Sequence, residues 1–342
     1  MKNIKAMVPL SVKREIKHVW NYITKKDYRI AWENNRELRQ YRTSYGDRNP
    51  DKIFYVIRRT SSEAMGSVFK NCIGELEYAS RKQYIPVIDC QHYFDCLIQN
   101  EDKQGMENAW EYYFQQVSPF ELDEVYRSKN VVMSNALDSK HWIYREKGKK
   151  IYSSAKTRTR FSKIYKKYCV LSDNMKRNTE KEWAKLKETI GDKKVLGVCV
   201  MLREADCCVS GNLDSNYKGR ALQPAFDEVV KDIRESMDGF GCDYVFISDD
   251  SDKYRGEFKK QFGDKVLFSG RKQANSAANS CGEFKRQVSQ NPQEYTIGYL
   301  TDIFLLARCN SLLASECSTS QLACIINDNK YEYEKIYHLG TQ

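Results

Sequence analysis

Short apolar runs alternate along this chain with longer stretches whose apolar residues recur three and four positions apart. The runs stand at 52–57 (KIFYVI), 85–89 (IPVID), 195–201 (VLGVCVM), 243–248 (DYVFIS), 265–268 (KVLF) and 311–315 (SLLAS). Runs of this length, bounded by turn formers, mark strands buried on both faces, as in parallel sheets. Between them, 68–83, 179–190 and 254–262 read as helices. Ile303, Phe304, Leu306 and Ala307 mark another, and 321–326 opens a further one. The unit 52–57, 68–83, 85–89 has the length of a parallel βαβ crossover. Strands and helices in alternation predict an α/β protein built on parallel sheets.

Three segments stand outside this rhythm. Val12, Ile16, Val19, Trp20 and Ile23 fall on one stripe of a helix within 11–45, with Lys13, Arg14, Lys17, Lys25 and Lys26 elsewhere. Such a helix suits the surface of an anionic membrane, or an arm packed on its own domain. Residues 108–114 (NAWEYYF) are rich in aromatics, with Tyr126 following in 122–126, and such residues stack on sugar rings in binding sites and fill cores elsewhere. Residues 270–291 are polar, with Arg271, Lys272, Lys285 and Arg286. A loop of that length is the kind that closes over a ligand.

A length of 342 residues suggests two domains, and 41% hydrophobic residues with 6 Pro and 17 Gly is a globular composition. The divisions expected are a basic helical arm over 1–50, a first Rossmann-like domain over 51–187 with a basic linker from about 138, and a second over 188–342. The net charge of +10 is concentrated. Residues 1–60 carry 15 Lys and Arg against 6 Asp and Glu, and 139–187 carry 16 against 4. The twelve cysteines include no C-x-x-C pair and many sit in apolar runs, so they read as reduced thiols of a cytoplasmic protein, and no metal site is expected. No apolar stretch is long enough to span a membrane.

The candidate chemistry gathers after the strands. The run 311–315 leads into Glu316, Cys317, Ser318, Thr319 and Ser320 and then a helix, which presents hydroxyls and unpaired N–H groups to an anion. The same residues also serve as simple helix caps. Asp302 is placed near the start of the preceding helix. Arg203, Glu204 and Asp206 follow the run at 195–201, and Asp249 and Asp250 follow the one at 243–248. In open α/β sheets, ligands bind at the carboxyl ends of strands. Gly66 and Ser67 close the loop after the first strand, with no G-x-G-x-x-G fingerprint.

A strand, then Arg203 and Asp206 spaced as Arg-x-x-Asp, then Gln223 and Pro224, then a strand ending in Ser248, Asp249 and Asp250, then Asp302 and a serine-rich loop: this order resembles the GDP-fucose-binding half of the fucosyltransferases. That family includes the α1,6-fucosyltransferases and the protein O-fucosyltransferases. The resemblance covers 190–330, and more loosely 53–135. It implies a GT-B fold, two Rossmann-like domains facing a central cleft, and inverting transfer without a metal. It implies that Arg203 holds the β-phosphate, that Asp302 reads the guanine edge, and that Ser318, with Thr319 and Ser320, binds phosphate. Asp249 and Asp250 would organise the nucleotide site, and Gly66 and Ser67 would stand on the acceptor side. Asp206 is the favoured base, with Glu204 and Asp214 open as alternatives. The donor implied is GDP-fucose or a related GDP-sugar and the acceptor a glycan, lipid-linked saccharide or bacterial polysaccharide. This places the protein in the cytoplasm, at the inner face of the membrane if 11–45 docks there.

Two rivals remain open. Asp250 and Asp252 form a D-x-D pair, which in GT-A glycosyltransferases holds a divalent metal with the donor diphosphate. The two basic segments could alternatively belong to a polyanion-binding protein, although no nucleic-acid motif accompanies them and no nucleic-acid partner is expected.

Overall fold

The computed structural model describes residues 16–17, 19–21, 23–25, 40–59, 65–91, 107–135, 143, 145–200, 222–248, 252–271 and 292–340. Two sheets organise them. The first is ordered β1–β4–β2–β3, from β1 (Tyr41–Thr43), β2 (Phe54–Arg58), β3 (Ile85–Asp89) and β4 (Val131–Met133). Its strands are parallel except β1, which runs antiparallel to β4 with Tyr41 opposite Met133. Tyr41–Thr43, placed by sequence in the basic arm, thus form an edge of the first sheet. The second sheet is wholly parallel, ordered β7–β6–β5–β8–β9. Its strands are β5 (Val195–Cys199), β6 (Tyr244–Ile247), β7 (Val266–Leu267), β8 (Ser311–Ser315) and β9 (Tyr333–Tyr337). The expected α/β class and parallel pairing are therefore present.

Helix α1 (Met65–Lys82) is the crossover from β2 to β3. A short helix, α2 (Leu122–Val125), precedes β4. Three helices fill the basic segment between the sheets: α3 (Arg145–Ser153), α4 (Ala155–Tyr168) and α5 (Asp173–Ile190). The hydroxyl of Ser172 accepts from the Met175 N–H to start α5, and Gly191, at φ 59°, ends it in backbone space that only glycine enters cheaply. In the second half come α6 (Phe226–Phe240), α7 (Asp252–Phe262), α8 (Pro292–Leu306) and α9 (Ser318–Asn327).

Strand parity sorts the core into layers, because successive side chains point to opposite faces. Along β2, Phe54 and Val56 join an outer cluster with Val87, Val131 and Met133, while Tyr55 and Ile57 face inward. Along β5, Leu196 and Val198 face an outer cluster beneath α6 and α7, while Val195 and Cys199 face inward. The inward residues of both sheets belong to one continuous cluster, which runs from Phe69 and Trp110 through Phe161 to Ile303, Leu305 and Leu322. The two halves share this core.

Helix α9 carries the joint. It packs on α1, α3, α4 and α8, and α8 packs on α5. The approach of α3 is close enough that a Cβ on Gly148 would lie 2.3 Å from the Gln321 Nε2 atom. Buried Arg158 on α4 forms a paired ion bridge to Glu334 of β9, with Nη2 donating to Oε2 at 2.8 Å. Asn178 on α5 donates to Thr301 of α8 at 2.8 Å. No helix among the described residues is long and apolar enough to cross a membrane.

Candidate functional site

The carboxyl ends of β2 and β8 lead to α1 and α9, and the first turns of these two helices meet. The hydroxyls of Ser67 and Ser318 are hydrogen-bonded at 3.3 Å, and the Lys70 ammonium donates to the Ser318 hydroxyl at 3.1 Å. Neither first turn holds an acidic residue. The two helix dipoles therefore bring partial positive charge from both sheets to one place, with Lys70 adding a full charge.

Tyr299 of α8 closes one side. Its hydroxyl is hydrogen-bonded to that of Thr319 at 2.8 Å, and its ring lies on Gly66 so closely that a Cβ there would stand 2.2 Å from the Tyr299 oxygen. Gly66 is thus glycine because a residue of the other half occupies the space of a side chain. Gly66 and Ser67, expected on the acceptor side, and Ser318 and Thr319, expected at the phosphate, are brought together here. Lys70 and Tyr299 escaped the sequence reading. Lys70 lies one turn after Gly66 and Ser67, which is the only signal that points to it.

Ser320 has a different role. It is fully buried, donates to the Ser315 carbonyl at 2.7 Å and accepts from the Cys317 N–H at 3.2 Å. The Ser320 N–H in turn donates to the Cys317 sulfur at 3.4 Å, completing a capping box. The Tyr152 hydroxyl of α3 is bonded to the Ser320 hydroxyl at 2.5 Å. Ser320 therefore serves the helix and its joint with α3, the capping role that the hydroxyl-rich pattern also allowed.

Asp302 is 1% exposed, and its helix begins at Pro292, so it stands in the last third of α8 and not near the start. Proline fits the first turn, where its missing N–H is not needed, and this start lies ten residues before Asp302. A carboxylate late in a helix gains nothing from the macrodipole. Its charge is met by Arg271, whose Nη1 donates to Oδ2 at 3.3 Å, and by the Ser248 hydroxyl, which donates to the same oxygen at 3.3 Å. Arg271 lies under the rings of Tyr295 and Tyr299, with centroids 4.6 and 5.1 Å away, and its Nη2 donates to the Tyr295 hydroxyl at 2.5 Å. A Cβ on Gly298 would meet the Arg271 Cγ at 2.8 Å, so that glycine admits the guanidinium stem. Arg271, which sequence placed only among the charges of a polar loop, is the buried partner of Asp302 just after β7.

A second feature lies at the carboxyl ends of β5 and β8. The sulfurs of Cys199 and Cys317 are 3.7 Å apart. The hydrogen bond from Cys199 draws the Cys317 thiol down to about 6 against the cost of burial, helped by hydrogen bonds from Ser320 and from the N–H groups of the first turn of α9. Burial first, and neighbouring acidic or thiol groups after it, push the thiols of Cys90, Cys169 and Cys309 upward.

Arg203, Glu204, Asp206 and Asp214, together with Asp249 and Asp250, lie outside the described residues, as does most of the polar loop. Asp252 is the first residue of α7. Among the described residues no group of three or more His, Cys, Asp or Glu side chains is arranged to hold a metal ion.

No protein-family model and no curated protein matches the sequence. Among solved structures, the chain is similar to two kinds of fucosyltransferase. The fucosyltransferase NodZ from Bradyrhizobium shares 15% identity with it at a TM-score of 0.45, over 80% of this chain and 92% of that one. NodZ α1,6-fucosyltransferase soaked with GDP-fucose gives 14% and 0.45 over the same shares. POFUT1 in complex with GDP-fucose gives 10% and 0.45, over 85% of this chain and 99% of that one. Similarity at this level is one of overall form and assigns no residue a role.

Proposed function

We propose that the protein is a GT-B glycosyltransferase that moves a sugar, L-fucose from GDP-fucose first among the candidates, to a hydroxyl of a glycan or polysaccharide acceptor, with inversion and without a metal. The observation that carries this reading is the meeting of Ser67, Lys70, Ser318 and Thr319 where two helices start, at the carboxyl ends of parallel strands from the two sheets. Those groups match the needs of a leaving diphosphate, which must be stabilised as the glycosidic bond breaks and charge develops on the phosphate oxygens. Hydroxyls and helix N–H groups hold the phosphates, and Lys70 offsets charge.

Arg203, spaced with Asp206 as in the fucosyltransferases, is assigned the β-phosphate. Asp206 is assigned the acceptor proton, with Glu204 and Asp214 as the alternatives. Asp249 and Asp250 are assigned to the organisation of the nucleotide site. Asp302 is assigned to the base side of that site, where it also fixes Arg271 against Tyr295 and Tyr299. The division at about 187 separates the acceptor-side half from the nucleotide half. Ile16, Val19, Trp20 and Ile23, all exposed, support docking of the N-terminal helix on an anionic membrane where lipid-linked acceptors reside.

Thermal unfolding in the presence of EDTA tests the reading. GDP and GDP-fucose are expected to raise the midpoint, UDP and UDP-sugars are not, and a ligand at a hundred times its dissociation constant stabilises by about 2.7 kcal/mol. Lys70→Ala, Ser318→Ala and Arg203→Ala should each reduce the rise. A rise with UDP compounds only when Mn²⁺ is added would transfer the site to Asp250 and Asp252, and no rise with any nucleotide would leave the two helix starts as a structural joint.

A further inference from the structure

We propose that Cys199 and Cys317 form a reversible dithiol–disulfide pair, oxidised by hydrogen peroxide, that controls the hydroxyl-bearing turn at the start of α9. The pair is built by the topology. β5 and β8 are adjacent parallel strands with Cys199 opposite Ala314, so a residue three positions beyond Ala314 can turn back over the end of β5. It does so at the N-cap of α9, and the sulfurs come to 3.7 Å. Closing to the bond length of about 2.0 Å is a movement that side-chain rotation and a small shift of the cap can supply.

The two thiols are unequal. Cys317 is half-buried, Cys199 is buried, and the Cys317 sulfur accepts hydrogen bonds from the Ser320 N–H at 3.4 Å and from the Thr319 N–H. These donors favour the thiolate, which is the reactive form. Cys317 is therefore the attacking sulfur and Cys199 the resolving one. The Cys317 thiolate attacks peroxide, an S–O bond forms, the O–O bond breaks and hydroxide leaves. Cys199 then attacks the Cys317 sulfur, the S–S bond forms and the S–O bond breaks. The departing hydroxide takes up the Cys199 proton as water, and peroxide has received the two electrons that the sulfurs lost.

The consequence follows from what Cys317 holds. Its sulfur caps α9 as acceptor for the Ser320 N–H, and the next two residues are Ser318 and Thr319. A disulfide turns that sulfur toward Cys199, withdraws the cap and displaces the turn that meets Ser67, Lys70 and Tyr299. This part rests on the nucleotide reading of the site; the covalent chemistry does not.

The test is peptide mapping of the native chain after mild peroxide treatment, with the remaining thiols alkylated. The expected product joins the Cys199 and Cys317 peptides with loss of two hydrogens, and dithiothreitol reverses it. Cys199→Ser should accumulate a Cys317 sulfenic acid that dimedone traps, whereas Cys317→Ser should leave Cys199 unreacted. Cys317 joined to Cys207 or Cys208, or taken to sulfinic acid with Cys199 still open to alkylation, would overturn the pairing. The unmutated chain decides this even if a variant fails to fold. GDP affinity of the oxidised chain should fall about tenfold or more and return on reduction. Equal affinity in both states would overturn the control of the site. If the disulfide forms and neither state binds GDP, the nucleotide reading fails while the dithiol pair stands.

Discussion

Asp302 and Arg271 are each about 1% exposed at their side chains, and each is the other's counter-charge. A buried ion pair is weak evidence of stability, but removing one partner leaves the other buried without that counter-charge, at a cost of about 3–5 kcal/mol. Asp302→Ala should therefore lower stability toward urea by that order, and Arg271→Met alone should do the same. The double variant should recover much of the loss. A double variant no better than the worse single one would mean that packing on Tyr295 and Tyr299, and not charge, sets the value of Arg271. Asp302 was legible in the sequence as a carboxylate near a crevice. Its partner was not, since Arg271 follows β7 by four residues, among several equivalent charges of a polar stretch, and only its burial in the fold singles it out.

At the scale of the element, α9 depends on an unusual cap. Cys317 ordinarily titrates near 9 and is drawn down to about 6 in the fold, first by the Cys199 thiol and then by Ser320 and the first-turn N–H groups. An acid held below its ordinary value contributes stability that is complete above the unfolded value and lost as the pH falls to the folded one. The stability gap between the native chain and Cys317→Ser should accordingly be small near pH 6 and widen toward pH 9. Urea midpoints across that range measure it, with His338→Gln as a control because His338 pairs with Glu316 beside the cap. A gap that narrows with rising pH would show that the thiolate does not support α9. The serine-rich pattern marked this helix start correctly. It could not tell which of the hydroxyls would turn inward, because Ser320 is claimed by Ser315 and Tyr152, one of them on a linker helix far away in sequence.

The whole molecule is joined through α9 and the linker helices. Because α1, α4, α8 and α9 share one apolar cluster, a fragment comprising 188–342 should expose a large part of that cluster. Such a fragment is expected to bind hydrophobic dyes and to unfold without a cooperative transition, and co-expression with 1–187 should restore one. A fragment that melts cooperatively alone would show that the second sheet and its outer cluster suffice. The basic linker illustrates why composition misleads here. Its lysines lie mostly at the surface as read, yet Arg158 from the same segment is buried against Glu334 of β9 and helps bind the halves together.

By itself the sequence determined the strands and their surroundings. The strands at 85–89 and 311–315 stand at the expected residues, because uninterrupted apolar runs between turn formers have few other stable uses. It also marked the order of polar residues after those strands, since carboxyl-end loops follow from local chain order. Strands β1, β4 and β9 were missed, being short or half-exposed, and they take their conformation from the neighbours they pair with. Tertiary structure alone decided which residues meet. Ser67 and Ser318 are 251 positions apart, and Cys199 and Cys317 are 118 apart. Contacts over such separations depend on how two sheets and their crossovers pack, and no local periodicity encodes them.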